Sequence, residues 1–393
     1  MCTKNIYYFN PEHDIALANG DPNFMPSATV RQMKKDLALL PIWYGDLESL
    51  VLAPSAQNLT FLNKIKKILP IQVDLITKFD LHKYEFSQII PWGWNKSVVN
   101  ELTKSGMVVT DKTNSFIKEL KELSNRKTAV AVLESLRVLY GTEAKSGYYS
   151  SVNDLLNASL AYPLVLKAPL SGSGRGLQWC MSEISEPLIN WSKRIVDTQG
   201  GIVVEKVLNK KEDFALEYRR SLSGKIEFVG YSLFETTVYG GYTRSILKTD
   251  SEIITRLSTF VAKELLEELR VSVEQQLTLR LIKSEYTGYL GVDCMIYQSA
   301  CDDSYKIHPC VEINFRYTMG VVAHKLVQQW IGEGACGSYE ITYFKKRREA
   351  LLFFERMKRT HPLLIRDGRV HKGFLALNPV ETETHYVAWI LVQ

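Results

Sequence analysis

The hydrophobic pattern of the chain changes character once, near residues 115–125, and this change limits its folds more than any other feature. Before it, short apolar runs at Asn5–Phe9, Ser49–Ala53, Ile71–Ile76, Gln88–Pro91 and Met107–Thr110 alternate with stretches of helical period such as Ala28–Leu40 and Leu59–Ile68. Strands separated by helices predict a parallel, doubly wound sheet, because a parallel return needs a crossover long enough to hold a helix. Two charged helices, Phe116–Leu123 and Lys127–Leu139, then read as a bridge. Beyond about residue 160, strands follow one another through tight turns: Leu164–Ala168, Gly176–Cys180, Gly201–Val207, Phe214–Ser221 and Lys225–Phe234. A long helix is expected at Glu252–Val271, a strand pair at Gly291–Tyr297 and Lys306–Ile313, and a terminal hairpin at Arg369–Ala376 and His385–Val392. The expected fold class is α/β followed by α+β. The expected divisions are an N-terminal α/β domain at 1–115, a central subdomain with a glycine-rich loop at 116–200, and a C-terminal subdomain at 201–393.

Composition excludes several classes. A chain of 393 residues with 46% hydrophobic and 23% charged residues can bury a core and is not a disordered tail. The excess of 48 basic over 43 acidic residues is spread along the chain, unlike the basic stripe of a nucleic-acid binder, so no nucleic-acid partner is expected. The six cysteines form no C-x-x-C pair and the N-terminus carries no basic segment before an apolar run, which points to the cytoplasm. No run approaches the ~18 apolar residues of a membrane helix. The seven histidines have no zinc-site spacing.

Three elements carry chemistry. Tyr162-Pro163-Leu164-Val165-Leu166-Lys167-Ala168-Pro169 reads as a strand ending in a lysine, and Ser171-Gly172-Ser173-Gly174-Arg175-Gly176 follows at once. Glycines let a backbone close over phosphates, and consecutive N–H groups make an anion-binding concavity. The spacing matches neither a P-loop nor a dinucleotide turn, and a structural Gly/Ser hairpin is the plainer alternative. Next, Val203-Val204-Glu205-Lys206-Val207-Leu208 runs as an apolar strand into a connector, with Glu212 and Asp213 beyond. Such a connector exposes backbone groups to the edge of a base, and a following carboxylate can accept a ribose hydroxyl; a solvated turn is the alternative. Last come Asp293, in Gly291–Tyr297, and Val311-Glu312-Ile313-Asn314-Phe315-Arg316. Alternation puts Glu312, Asn314 and Arg316 on one strand face, and two carboxylates with an amide oxygen suit Mg²⁺. Arg316 could neutralise a transferring phosphoryl group, or simply pair with the acids. In the first third, Glu12, His13 and Asp14 lie in a turn-rich loop after the first strand, where open α/β sheets bind ligands.

In this order and at these separations, the three elements resemble the ATP-grasp family over about residues 116–325. The stretch Glu312-Ile313-Asn314-Phe315-Arg316 is the most specific. The resemblance implies an ATP-grasp fold of two α+β subdomains behind a pre-ATP-grasp-like domain that contributes to the substrate site. It implies that Lys127, to within one residue, and Lys167 contact ATP phosphates under a flap formed by Ser171, Gly172, Ser173 and Gly174. Glu205, Lys206 and Leu208 would line the adenine pocket, with Glu212, or Asp213 in its place, at the ribose. Asp293, Glu312 and Asn314 would hold Mg²⁺, for which Mn²⁺ could substitute; Asp303, in the enlarged turn between the two strands, is a competing acid. The implied reaction is ligation: a small-molecule or peptide carboxylate is activated as an acylphosphate and opened by an amine, with Lys167 and Arg316 as the catalytic residues. Arg244, after Tyr239-Gly240-Gly241-Tyr242-Thr243, could clamp an anionic substrate. A phosphotransferase of the same fold and a non-catalytic ATP-binding module are the alternatives; no membrane partner is expected, and a homo-oligomer is allowed.

Overall fold

The computed structural model describes residues 4–85, 87–172, 174 and 176–393. They divide into two units, Met1–Ile117 with Arg244–Thr249 and Val321–Gln393, and Lys118–Thr243 with Asp250–Gly320.

In the first unit, Ile6–Tyr8 (β1), Leu50–Leu52 (β2), Asp74–Ile76 (β3) and Ile89–Pro91 (β4) form a parallel sheet in the order β3-β2-β1-β4. Strands are added on both sides of β1, so the winding reverses between the C-terminal ends of β1 and β4. Ile6, Leu50, Leu52 and Ile76 share a core with Val98 and Leu102 of the helix Lys96–Lys104. Each fully buried Leu or Ile there contributes roughly 1.5–3 kcal/mol over exposure. Met107–Thr110 forms no strand: Val108 N donates to Glu85 O at 3.2 Å, but no ladder continues from it.

The second unit contains two antiparallel sheets. Ser146–Tyr149 (β5), Leu164–Lys167 (β6), Leu177–Cys180 (β7) and Ile202–Lys206 (β8) pair in the order β5-β8-β6-β7. Leu164, Leu166, Ile202 and Val204 pack with Leu155 and Leu188 of the helices Val152–Asn157 and Glu186–Gln199. The period of two therefore sends Lys167 and Glu205 to the opposite face. The other sheet contains Asn209–Arg220 (β9) and Ile226–Thr236 (β10). After Tyr242–Leu247 (β11), most of which belongs to the first unit, come its remaining strands, Gly288–Gln298 (β12) and Tyr305–Asn314 (β13), giving the order β13-β12-β9-β10. On β9 the Tyr218 hydroxyl donates to Arg270 O at 2.8 Å, so the face of Phe214, Leu216 and Tyr218 is the one packed on helix Lys263–Leu281. The single helix expected at Glu252–Val271 is two, Asp250–Leu257 and Lys263–Leu281. Between them the Thr259 hydroxyl donates to Arg256 O at 2.8 Å and Ala262 is extended.

The chain then returns to the first unit with Gly337–Tyr343 (β14), Leu364–Arg366 (β15), Arg369–Ala376 (β16) and Tyr386–Val392 (β17). The terminal hairpin is present, and β17 pairs with β14, which pairs with the Arg244–Leu247 part of β11. Residues 201–393 are thus shared between two units, because these partners lie too far apart in sequence for local pattern to report. Among the described residues no helix is long and apolar enough to cross a membrane. Cys180, Cys294, Cys301, Cys310 and Cys336 are free.

Candidate functional site

Lys167 ends β6 on the face turned away from the apolar cluster, and the residue is 6% exposed. Nζ lies 2.5 Å from Glu205 Oε2 on β8. Burial pushes the Glu205 carboxyl up, but the charge of Lys167, together with His308 and hydrogen bonds from Lys167 and Ser146, holds the group below its usual range. His308 on β13 is the third member, with Nε2 4.0 Å from the same oxygen. Burial lowers the imidazole to about 4, against the pull of Glu205, so it is neutral at pH 7. These contacts bring the two sheets of the second unit together face to face.

The glycine-rich loop is joined to the acidic strands through Arg126, which opens the helix Arg126–Arg137. Its NH1 donates to Ala168 O at 2.5 Å and to Ser171 Oγ at 2.7 Å; NH2 donates to Ser171 O at 3.2 Å and to Glu312 Oε2 at 2.7 Å. Lys127, its neighbour, points elsewhere, with Nζ 5.3 Å from the centre of the Tyr148 ring. The one-residue margin in the sequence match therefore matters: it is Arg126 whose side chain reaches both the loop and Glu312. Ser171 and Gly172 are half-buried, and Ser173 lies outside the described residues. Gly174 has φ +72°, and a Cβ there would stand 2.7 Å from Gly240 O, so this loop closes against the Gly240-Gly241 turn because Gly174 lacks a side chain.

Asp293 and Glu312 sit opposite each other in the β12–β13 ladder, and Asn314 is opposite Gly291. Asn314 Nδ2 donates to Asp293 Oδ2 at 3.3 Å, and Arg316 NH2 donates to Asn314 Oδ1 at 2.9 Å. Burial, and then the negative charge of Glu312, raise the Asp293 carboxyl well above its usual range. Two carboxylates held together this way are a hard-oxygen set short of a cation, and this fits Mg²⁺. Among the described residues, no three His, Cys, Asp or Glu side chains gather as a metal cage. Asp293, Glu312 and Asn314, the metal ligands expected from the sequence, do lie together on the two strands. Behind them, Glu217 on β9 is buried, accepting from Thr318 Oγ1 at 2.9 Å and Ser232 Oγ at 3.0 Å. Burial pushes it up to about 7, against those hydrogen bonds and the charge of Arg316.

Strand parity separates Glu212 from Asp213. Glu212 shares the helix-facing side of β9 and pairs with Arg256 at 2.5 Å, whereas Asp213 shares the face of Asp293 and accepts from Thr236 Oγ1 at 2.7 Å. Lys206 is exposed, Leu208 is half-buried with its carbonyl accepting from Lys210 N at 2.9 Å, and Asp303 lies at the exposed tip of the β12–β13 turn. Arg244 lies on β11 in register with Glu340. In the first unit, Glu12 and His13 are buried after β1: Lys34 Nζ is 2.7 Å from Glu12 Oε1, and a Cβ on Gly93 would lie 2.4 Å from the His13 ring. Asp14 follows in the first turn of the helix His13–Asn19. The sequence motifs did not single out Arg126, Glu217 or His308. Alternation along β9 and β13 was the available signal for the last two.

No protein-family model matches the sequence, and no curated protein matches it. Solved structures do. A biotin carboxylase complex with β-γ-ATP from Campylobacter jejuni matches with TM-score 0.51 and 11% identity over 99% of this chain and 87% of that one. N5-carboxyaminoimidazole synthetase from Staphylococcus aureus matches with TM-score 0.50 and 14% identity over 99% and 93%. An ADP complex of N5-carboxyaminoimidazole ribonucleotide synthetase matches with TM-score 0.50 and 14% identity over 100% and 93%. Likeness at this identity bears on architecture alone, and with the two facing sheets of the second unit it establishes that the chain has the ATP-grasp fold.

Proposed function

We propose that this chain is an ATP- and Mg²⁺-dependent ligase that activates a carboxylate for attack by an amine. The observation that carries this reading is a pair of internal ion pairs: Lys167–Glu205, on the sheet that carries the glycine-rich loop, and Arg126–Glu312, whose arginine ties that loop to the acidic strands. Each cation is neutralised by an acid of the same cluster, so binding a triphosphate is an exchange of partners rather than the burial of bare charge. Lys167 and Arg126 turn from carboxylates to phosphate oxygens, which frees Glu205 and Glu312. Mg²⁺, when held by Asp293, Glu312 and Asn314, supplies the neutralisation that lets phosphates approach these acids. Arg316, oriented by Asn314 and by its NH1 bond to Tyr317 O at 3.0 Å, stabilises charge on the transferring phosphoryl group. Asp213, on the same face as Asp293, is the better placed acid for the ribose.

In this reading a carboxylate oxygen attacks the γ-phosphorus, ADP leaves, and an amine then displaces phosphate from the acylphosphate. The chain provides position and charge, with no covalent intermediate on the protein. Glu12 and His13, where the winding of the parallel sheet reverses, are candidates for substrate contact. A screen of carboxylate and amine pairs for ADP release, with Lys167→Ala as the blank, tests the proposal. ADP formation that needs both substrates supports it. ADP formation with the carboxylate alone favours the phosphotransferase, and none above the blank with any pair rejects it.

A further inference from the structure

Resting on that reading, we infer that His308 is a nucleotide-contacting residue whose imidazole gives bound ADP or ATP a hydrogen bond that the protein itself leaves unmade. The residue is 2% exposed. Nδ1, apart from an approach to its own main chain, has no hydrogen-bond partner, and Nε2 is 4.0 Å from Glu205, beyond hydrogen-bond reach. Buried polar groups in folded proteins are almost always paired, and an exception calls for an explanation.

Placement supplies one. In the β12–β13 ladder His308 is opposite Met295, and Asp293 is opposite Glu312; Met295 and Asp293 share a face, so His308 looks the same way as the acids. Its neighbours there are Lys167 and Glu205, the pair that must separate when a phosphate arrives. A phenylalanine would fill a similar volume without an orphaned nitrogen, so packing alone gives no reason for an imidazole. A neutral ring also brings one donor and one acceptor to a crowded site without adding charge.

Calorimetric titration with Mg²⁺-free ADP at pH 7.5 tests this on the full chain, comparing the wild type with His308→Phe, His308→Gln and Lys167→Ala. The expected result is that His308→Phe melts at a higher temperature than the wild type yet binds ADP at least tenfold more weakly, and that His308→Gln regains part of the affinity. ADP binding by His308→Phe within twofold of wild type, with Lys167→Ala still impaired, overturns the role of His308 and leaves the nucleotide site standing. No ADP binding by the wild type overturns both. If His308→Phe does not fold, His308→Ala against His308→Gln decides: weaker binding by Ala supports the inference, and equal binding rejects it.

Discussion

The carboxylates around Glu101 in the first unit and around Asp293 in the second are driven in opposite directions. In the first unit Lys34 Nζ lies 2.7 Å from Glu12 and 3.2 Å from Glu101; Glu101 also accepts from the Tyr8 hydroxyl at 2.7 Å and pairs with Lys78. Burial pushes Glu101 up, but these cations and the hydroxyl outweigh it and hold the carboxyl at about 2. In the second unit Asp213, Glu217, Asp293 and Glu312 share one sheet face, and burial, joined at Asp293 by the charge of Glu312, pushes Asp293 and Glu217 up instead. In the first cluster the cations outweigh burial and the acid stays charged; in the second burial wins.

Removing single groups sharpens this contrast. Lys167→Ala should lower ADP formation by about 10²–10³-fold and, by leaving Glu205 buried without its partner, cost about 3–5 kcal/mol of stability. The double variant Lys167→Met, Glu205→Gln should recover stability in urea without recovering turnover. Glu312→Ala should abolish Mg²⁺-dependent turnover with an unchanged circular dichroism spectrum, since it removes a ligand and no core volume; unchanged turnover would remove the metal assignment. Glu217 has its folded-state value raised from 4.5 to about 7. Its neutral form therefore adds stability that is complete below about pH 4.5 and lost as pH rises through about 7, up to about 3 kcal/mol. Glu217→Gln should flatten that decline in urea unfolding at pH 5 and pH 8. Arg126→Ala should weaken ADP binding about tenfold or more, the worth of charge-assisted hydrogen bonds, while Lys127→Ala should change it less than about twofold. Glu101→Gln should cost ~2 kcal/mol at pH 7, a penalty that shrinks as pH falls through 2, and should leave ADP affinity untouched; lost affinity would break the comparison.

Much of the architecture was legible because local signals agreed. Apolar runs bounded by turn residues marked β1, β2, β4, β16 and β17, and the strand expected at Leu164–Ala168 is Leu164–Lys167. Met107–Thr110 misled because a short apolar run carries no information about whether an edge is available to pair with it. The break in Glu252–Val271 was hidden because apolar residues continue through Phe260-Val261, where the Thr259 side chain turns to the backbone. At the site, the choice between Arg126 and Lys127 depends on which way a helix's first turn faces, and motif spacing does not state that. His308 stands in no metal-ligand spacing, and its meaning comes from Lys167 and Glu205, which lie far from it in sequence.

The central claim is that the glycine-rich loop and the acidic strands grip one ligand. Amide hydrogen exchange with and without Mg·ADP tests it most directly. The account predicts slowed exchange in both Ala168–Gly176 and Glu312–Arg316 at the same ligand concentration. Protection confined to one of the two segments, or absent from both at saturating nucleotide, would contradict it.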